Sequence, residues 1–219
     1  MGQVGQVGTQ QRDVWAMVEW LADPANAEQC RGFPVDPVRS AAPGVYAFHA
    51  DDCACELLGD ALSGVPRTLY ADQAGSSPRR NYLATGATLA SAIARTHLRG
   101  STMGSSFRRS LAALLWDELD LRCGGPRRLE PESNARLTAW MLAHLRVATV
   151  VVHDIASLWL ISEYIGHRLD PPFNLDGHTN SPEREHLREL RARRFSCVRA
   201  DDGRGARFRE LRALVGAGL

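Results

Sequence analysis

Hydrophobic positions along the chain recur with two periods. In DVWAMVEWLAD, Val14, Met17, Val18 and Leu21 fall on one helical face behind Asp13, a candidate N-cap, and Pro24 closes the segment. The same period predicts helices in ACELLGDAL, ARLTAWMLAHL and SLWLISEYIGHRL, the last stopped by Pro171 and Pro172. It also predicts one in TLASAIARTHL, with Leu89, Ile93 and Thr96 inward, and one in SSFRRSLAALLWDEL, capped by Ser105 or Ser106. GVYAFHA, RTLYA and VATVVVHD have the β-branched and aromatic composition of strands, while SSPRRNYLATG and CGGPRR read as a loop and a turn. Strand, strand, three helices, strand, helix is an α+β order, a small antiparallel or mixed sheet flanked by helices, with too few βαβ units for a doubly wound sheet.

Punctuation divides the chain. MGQVGQVGTQQ is rich in Gly and Gln and predicts a flexible tail; Pro34, Pro37 and Pro43 predict an extended linker. The expected organisation is a tail, helix and linker over 1–42, a main domain over 43–178 and an arginine-rich helical extension over 179–219. That extension contains PEREHLRELRARR, a DDGRG turn and FRELRALV. A chain of 219 residues suits one sizeable core.

Composition narrows the partners. The formal net charge is +1, so no molecule-wide field announces a polyanion. All cationic side chains are arginine, which we read as coding bias. From Arg184 to Arg212 arginines outnumber acids, but the alternating signs favour a solvated helix face over a nucleic-acid track. Five cysteines in no scaffold spacing, with no signal peptide, predict a reduced cytoplasmic setting. The C-x-C of HADDCAC lacks the second pair a zinc site needs. The longest apolar run, near Val147 to Val152, is too short to span a bilayer, so no membrane partner is expected.

GVY (Gly44 to Tyr46), LYA (Leu69 to Ala71), a helix ending in THLRG, and PPFN (Pro171 to Asn174) after a helix carrying Glu163 occur in an order that resembles the GIY-YIG nuclease family. LRGS, SSFRRSLAALL, WMLAHLRV and LDPPFNLDG are similar to a bacterial branch of it. The resemblance covers roughly Pro43 to Gly177. It implies hydrolysis of phosphodiesters in DNA with one Mg²⁺, or Mn²⁺, held by a single glutamate, which Glu163 matches. It implies that Tyr46 and Tyr70 share a pocket and that Asn174 fixes its loop or touches phosphate, and it matches His97 to a helix histidine that either shuttles protons or sits capped and half-buried at the helix end. A phenol with an ordinary pKa near ~10 is a poor base, so a nearby cation is required.

Three positions depart from the family pattern. Asp72 stands where the second tripeptide has Gly, Gln73 where Lys is frequent, and Ala92 where a helix arginine is expected, with Arg95 one turn on. An ionised carboxylate about 5 Å from a phosphate, at an effective dielectric near 20, opposes binding by roughly 3 kcal/mol. Two arrangements would restore binding. Asp72 becomes a second metal ligand, or, the preferred route, Arg95, Arg99, Arg108 and Arg109 carry the phosphate with the backbone donors at Ser106. The alternative function is a non-nuclease whose rebuilt pocket binds nucleic acid without cutting it or acts on a small molecule.

Overall fold

The computed structural model describes residues 3–59, 67–77, 83–178 and 180–196. Its main sheet has the order β1–β8–β2–β3, antiparallel throughout, formed by β1 (Glu28–Gln29), β8 (Leu145–Val151), β2 (Gly44–Ala50) and β3 (Thr68–Ala74). Strand β2 is buried along its whole length because neighbours pair with both its edges and helices cover both its faces. The period of two sorts its side chains. Tyr46, Phe48 and Ala50 join Tyr70 on one face, and Val45 and Ala47 join Ala71 and Ala148 on the other.

Helices α1 (Gln3–Ala22) and α6 (Ile155–Leu169) cover the second face through Val18, Leu21, Leu158 and Ile165. The first face carries α3 (Asp52–Gly59), the π-helix Ser91–Leu98, α4 (Ser106–Leu114), α5 (Pro131–His144) and α7 (Pro182–Arg194). Phe107 of α4 fixes that layer by stacking on Phe48 at 4.7 Å and on Tyr70 at 5.0 Å between ring centroids, contacts worth roughly 0.5–1.5 kcal/mol each. The α4 N-terminus is thereby held beside the tyrosines. Two short ribbons, β4 (Ser76–Ser77) with β5 (Leu83–Ala84) and β6 (Cys123–Gly125) with β7 (Arg128–Leu129), complete the described elements, apart from the four-residue helix α2 (Pro37–Ser40) and two 3₁₀ turns. The described helices include none long and apolar enough to cross a membrane.

The N-terminal expectations need correction. Helix α1 begins at Gln3, so Asp13 is not its cap and the expected tail is helical; once a helix is nucleated, extending it by a residue is easy even for modest formers. The proline-rich segment does not separate domains. Cys30 and Phe33 are buried in the core and β1 pairs with β8. Helix α7 likewise packs on α4, through Leu187. CGGPRR forms the β6–β7 hairpin around Arg127, whose φ is +59°. The DDGRG and FRELRALV segments lie outside the described residues.

Gly44 opens β2 where the sheet backbone is tightest. A Cβ there would lie 2.2 Å from the carbonyl oxygen of Val150 on β8. Backbone cannot swing aside as a side chain can, so Gly44→Ala is expected to destabilise by about 2–3 kcal/mol. A thermal melt should register a fall of roughly 4–12 °C.

Candidate active site

Tyr46 on β2 lies directly opposite Asp72 on β3, and Tyr70 stands two residues before Asp72, so all three side chains leave the same face of the sheet. The Tyr70 hydroxyl donates to Asp72 Oδ2 at 2.6 Å, and the Gln73 backbone N–H donates to Asp72 Oδ1 at 2.8 Å. Burial raises the Asp72 pKa above the usual carboxylate range, and the charge of Glu163 adds to this; the bonds from Tyr70 and Gln73 act the other way. Burial, then the Asp72 charge, holds both phenols well above their ordinary value.

Behind Tyr46 runs a buried chain of hydrogen bonds. Its hydroxyl is 2.7 Å from His97 Nε2, and His97 Nδ1 is 2.8 Å from Ser105 Oγ, which also caps α4 by accepting the Arg108 N–H. In one consistent arrangement Ser105 donates to Nδ1 and Nε2–H donates to the Tyr46 oxygen. Burial, then the charge of Arg108, pushes His97 down to about 3. Burial thus favours the neutral imidazole, which orients Tyr46 and matches the buried helix-end reading of His97. Its inward position follows from the π-helix, in which Ile93 and His97 continue the inward line of the preceding Leu89 at intervals of four while Thr96, expected inward, is exposed.

Glu163 reaches Tyr70 by a route around the sheet. Helix α6 backs the opposite face, but β3 is an edge strand, and α6 runs along it. Glu163 thus lines a cleft of about 160 Å³ together with Tyr70, Asp72, Ser106, Asn174 and Asp176. Its carboxylate is exposed and makes no hydrogen bond or ion pair among the described residues. Tyr46 lies one layer deeper, 1 % exposed.

The PPFN loop closes the edge of β3. Asn174 Oδ1 accepts the Ala71 N–H at 3.1 Å, its Nδ2 donates to the Ala71 carbonyl at 2.7 Å, and the Phe173 N–H donates to Leu69 O at 3.0 Å. With both ends of its amide paired to strand backbone, Asn174 fixes the loop, one of the two roles expected of it. Arg184 of α7, 3 % exposed, locks the loop from behind by donating to the carbonyls of Asp170, Pro171 and Asn174 and to the Asp170 carboxylate. Gln73 serves the other end of β3: its amide pairs with both backbone groups of Ser76 across Gly75, whose φ of +135° suits glycine.

The arginines expected to carry phosphate do not gather here. Arg95 and Arg99 are exposed and do not line the cleft. Arg108 is fully buried, and its guanidinium donates to the carbonyls of His97, Leu98 and Asn134 and to the side chains of Asn134 and Thr138. Arginine next to a helix N-cap reads as surface, yet this one ties the π-helix to α5. Arg109 donates to the Thr102 carbonyl and faces a separate pocket. Ser106 does line the cleft, beside Tyr70.

Arg108→Met would keep the volume but strand three buried carbonyls. A loss of about 2–4 kcal/mol is expected, read as a lower midpoint in urea. A phosphate-binding arginine would instead leave the midpoint in place.

Sequence reasoning did not single out Asp176, His178, Ser162 and Arg184. The first two follow PPFN directly, in LDGH, and that adjacency was the available signal. Among the described residues no three His, Cys, Asp or Glu side chains are grouped to hold a metal ion, so any cation here draws on fewer protein donors than that. Mg²⁺ accepts such a site, because water and phosphate fill its remaining positions.

Neither a search of curated proteins nor one of solved structures finds a match. Residues 67–196, more than half of the chain, match the family model of the GIY-YIG catalytic domain. That span takes in Tyr70, His97, Glu163 and Asn174 and begins after the strand that bears Tyr46. A sheet whose Tyr70 faces an edge-on carboxylate, and a family match of that extent, place this chain in the GIY-YIG nuclease family, whose chemistry is phosphodiester hydrolysis.

Proposed function

We propose that the protein hydrolyses phosphodiester bonds of DNA, with Mg²⁺ or Mn²⁺ held by Glu163. The observation that carries this reading is the cleft itself, in which an unpaired carboxylate from α6 and the Tyr70–Asp72 pair of β3 face the same space. Bound at Glu163, a divalent cation would neutralise charge on the non-bridging oxygens and offset the repulsion from Asp72. Asp72 is better suited to proton transfer than to coordination, since each of its oxygens already accepts a hydrogen bond.

The raised phenol pKa values argue against either tyrosine working as a free phenolate. Tyr70 can take a proton from the attacking water while passing its own along the 2.6 Å bond to Asp72 Oδ2, and it then remains neutral throughout. A carboxylate with a raised pKa is the better final acceptor. Tyr46, held by neutral His97, fixes the other side of Asp72.

A second reading rests on a separate observation: no arginine lines the cleft among the described residues. A pocket of that kind could serve binding without cleavage, or a small-molecule substrate. Supercoiled plasmid separates the two. Nicking with Mg²⁺ or Mn²⁺ that stops in EDTA is the expected result, and intact plasmid with both metals would favour the second reading.

A further inference from the structure

Beside the cleft lies a larger pocket, of about 370 Å³, lined by Arg109, Arg127, Arg188 and Arg191. Its one carboxylate is Asp176, so four guanidinium groups face a single negative charge. Leu175 and Asp176 line both spaces and form the wall between them.

The arginines arrive from three separate elements and their backbones are tied together. Thr102 Oγ1 donates to the Arg127 carbonyl, and Arg109 donates to the Thr102 carbonyl. Arg188 donates to the Leu175 carbonyl at 2.6 Å and to Asn180. Arg127 and Arg191, in contrast, donate to nothing among the described residues. Burial, followed by the charge of Arg109, pushes Arg191 down to about 10, with Arg127 and Arg188 acting in the same direction and Asp176 opposing them. Like charges crowded into a partly dry pocket oppose folding unless an anion joins them.

We propose that the pocket of Arg109, Arg127, Arg188 and Arg191 binds a backbone phosphate of the DNA strand that enters the adjoining Glu163 cleft. The identity of the strand rests on the nuclease reading; the anion site does not. Guanidinium groups meet phosphate oxygens with paired donors, and two of these four have donors to spare. A strand carries one phosphate per ~3.4 Å of helix rise, so spaces that share the wall of Leu175 and Asp176 lie a few phosphates apart. The cleft lacks arginine, and this pocket would supply the electrostatic hold that the cleft omits.

The test compares wild type with Arg127→Gln and with the double variant Arg127→Gln/Arg191→Gln. In EDTA, where no cutting occurs, binding of a fluorescein-labelled DNA duplex should weaken about tenfold or more in the double variant. The slope of log affinity against log salt should become shallower by about one to two. Inorganic phosphate, against chloride at equal ionic strength, should raise the melting temperature of wild type but not of the double variant. Without phosphate the double variant should melt at or above wild type, because two crowded like charges are gone. A lower melting temperature would mark a structural role for Arg191, and unchanged DNA affinity in the exposed Arg127→Gln variant would then overturn the proposal.

Unchanged DNA affinity and salt slope would also overturn it. Loss of the phosphate effect with DNA binding intact would show a small-anion site instead of a strand contact. If binding depends on these arginines but wild type never nicks plasmid, the anion site stands and the nuclease reading falls.

Discussion

Glu163→Gln is expected to reduce metal-dependent nicking by about a thousandfold or more, ~4 kcal/mol of transition-state stabilisation. The substitution keeps the shape of the side chain and removes only its charge. Asp72 does not stand in for it, because both its oxygens are engaged by Tyr70 and Gln73, and Asp176, the other carboxylate of the cleft, also lines the neighbouring arginine pocket. Asp72→Asn should behave differently. It leaves Glu163 in place, so Mn²⁺ affinity measured by calorimetry should stay within about tenfold of wild type, while the rate falls about a hundredfold for want of a proton acceptor. The wild-type rate should climb with pH as Asp72 ionises, at a pH above the ordinary carboxylate range, since burial raises its pKa. That rising limb should be missing in Asp72→Asn. Glu163→Gln nicking within tenfold of wild type would refute the assignment.

The parts of this molecule that sequence could disclose are those governed by local rules. Period-two and β-branched patterns located β2, β3 and β8, serine placement located the α4 cap, and Pro171 and Pro172 located the end of α6. The juxtaposition of Tyr70 with Glu163 was legible only through the family resemblance, since nothing local says that α6 runs along an edge strand. Arg108 was misread and Arg184 passed over for a shared reason. Polar side chains are assigned to exposed roles by default, and here both satisfy buried groups contributed by distant segments. The proline-rich stretch misled in the opposite sense: its prolines suggest a linker, while Cys30 and Phe33, directly before Pro34, are core residues. Ala92, read as the loss of a helix arginine, packs beside the main core cluster in a π-helix whose register no α-helical template anticipates.

Acidification should destabilise the protein well above the pH at which carboxylates titrate, and His97 should be a principal cause. In the folded chain its pKa is pushed down to about 3 by burial and Arg108, and in the unfolded chain it returns to about 6.5. Below 6.5 the unfolded state therefore binds a proton that the folded state refuses. The contribution of neutral His97 is fully present above 6.5 and is lost progressively as the pH falls from there toward 3. Between pH 6.5 and 4.5 one such proton removes about 2–3 kcal/mol. His49 and His178, both lowered first by burial, act in the same sense. Asp72 acts in the opposite sense, because its raised pKa makes the folded state the better proton binder in the upper carboxylate range. His97→Gln retains a polar side chain but cannot titrate. Its stability, obtained from urea melts across this window, should depend on pH by nearly one proton less than that of wild type, whatever its absolute stability. An unchanged slope would mean that His97 accepts a proton in the folded state, and that its bond to Tyr46 can transmit charge after all.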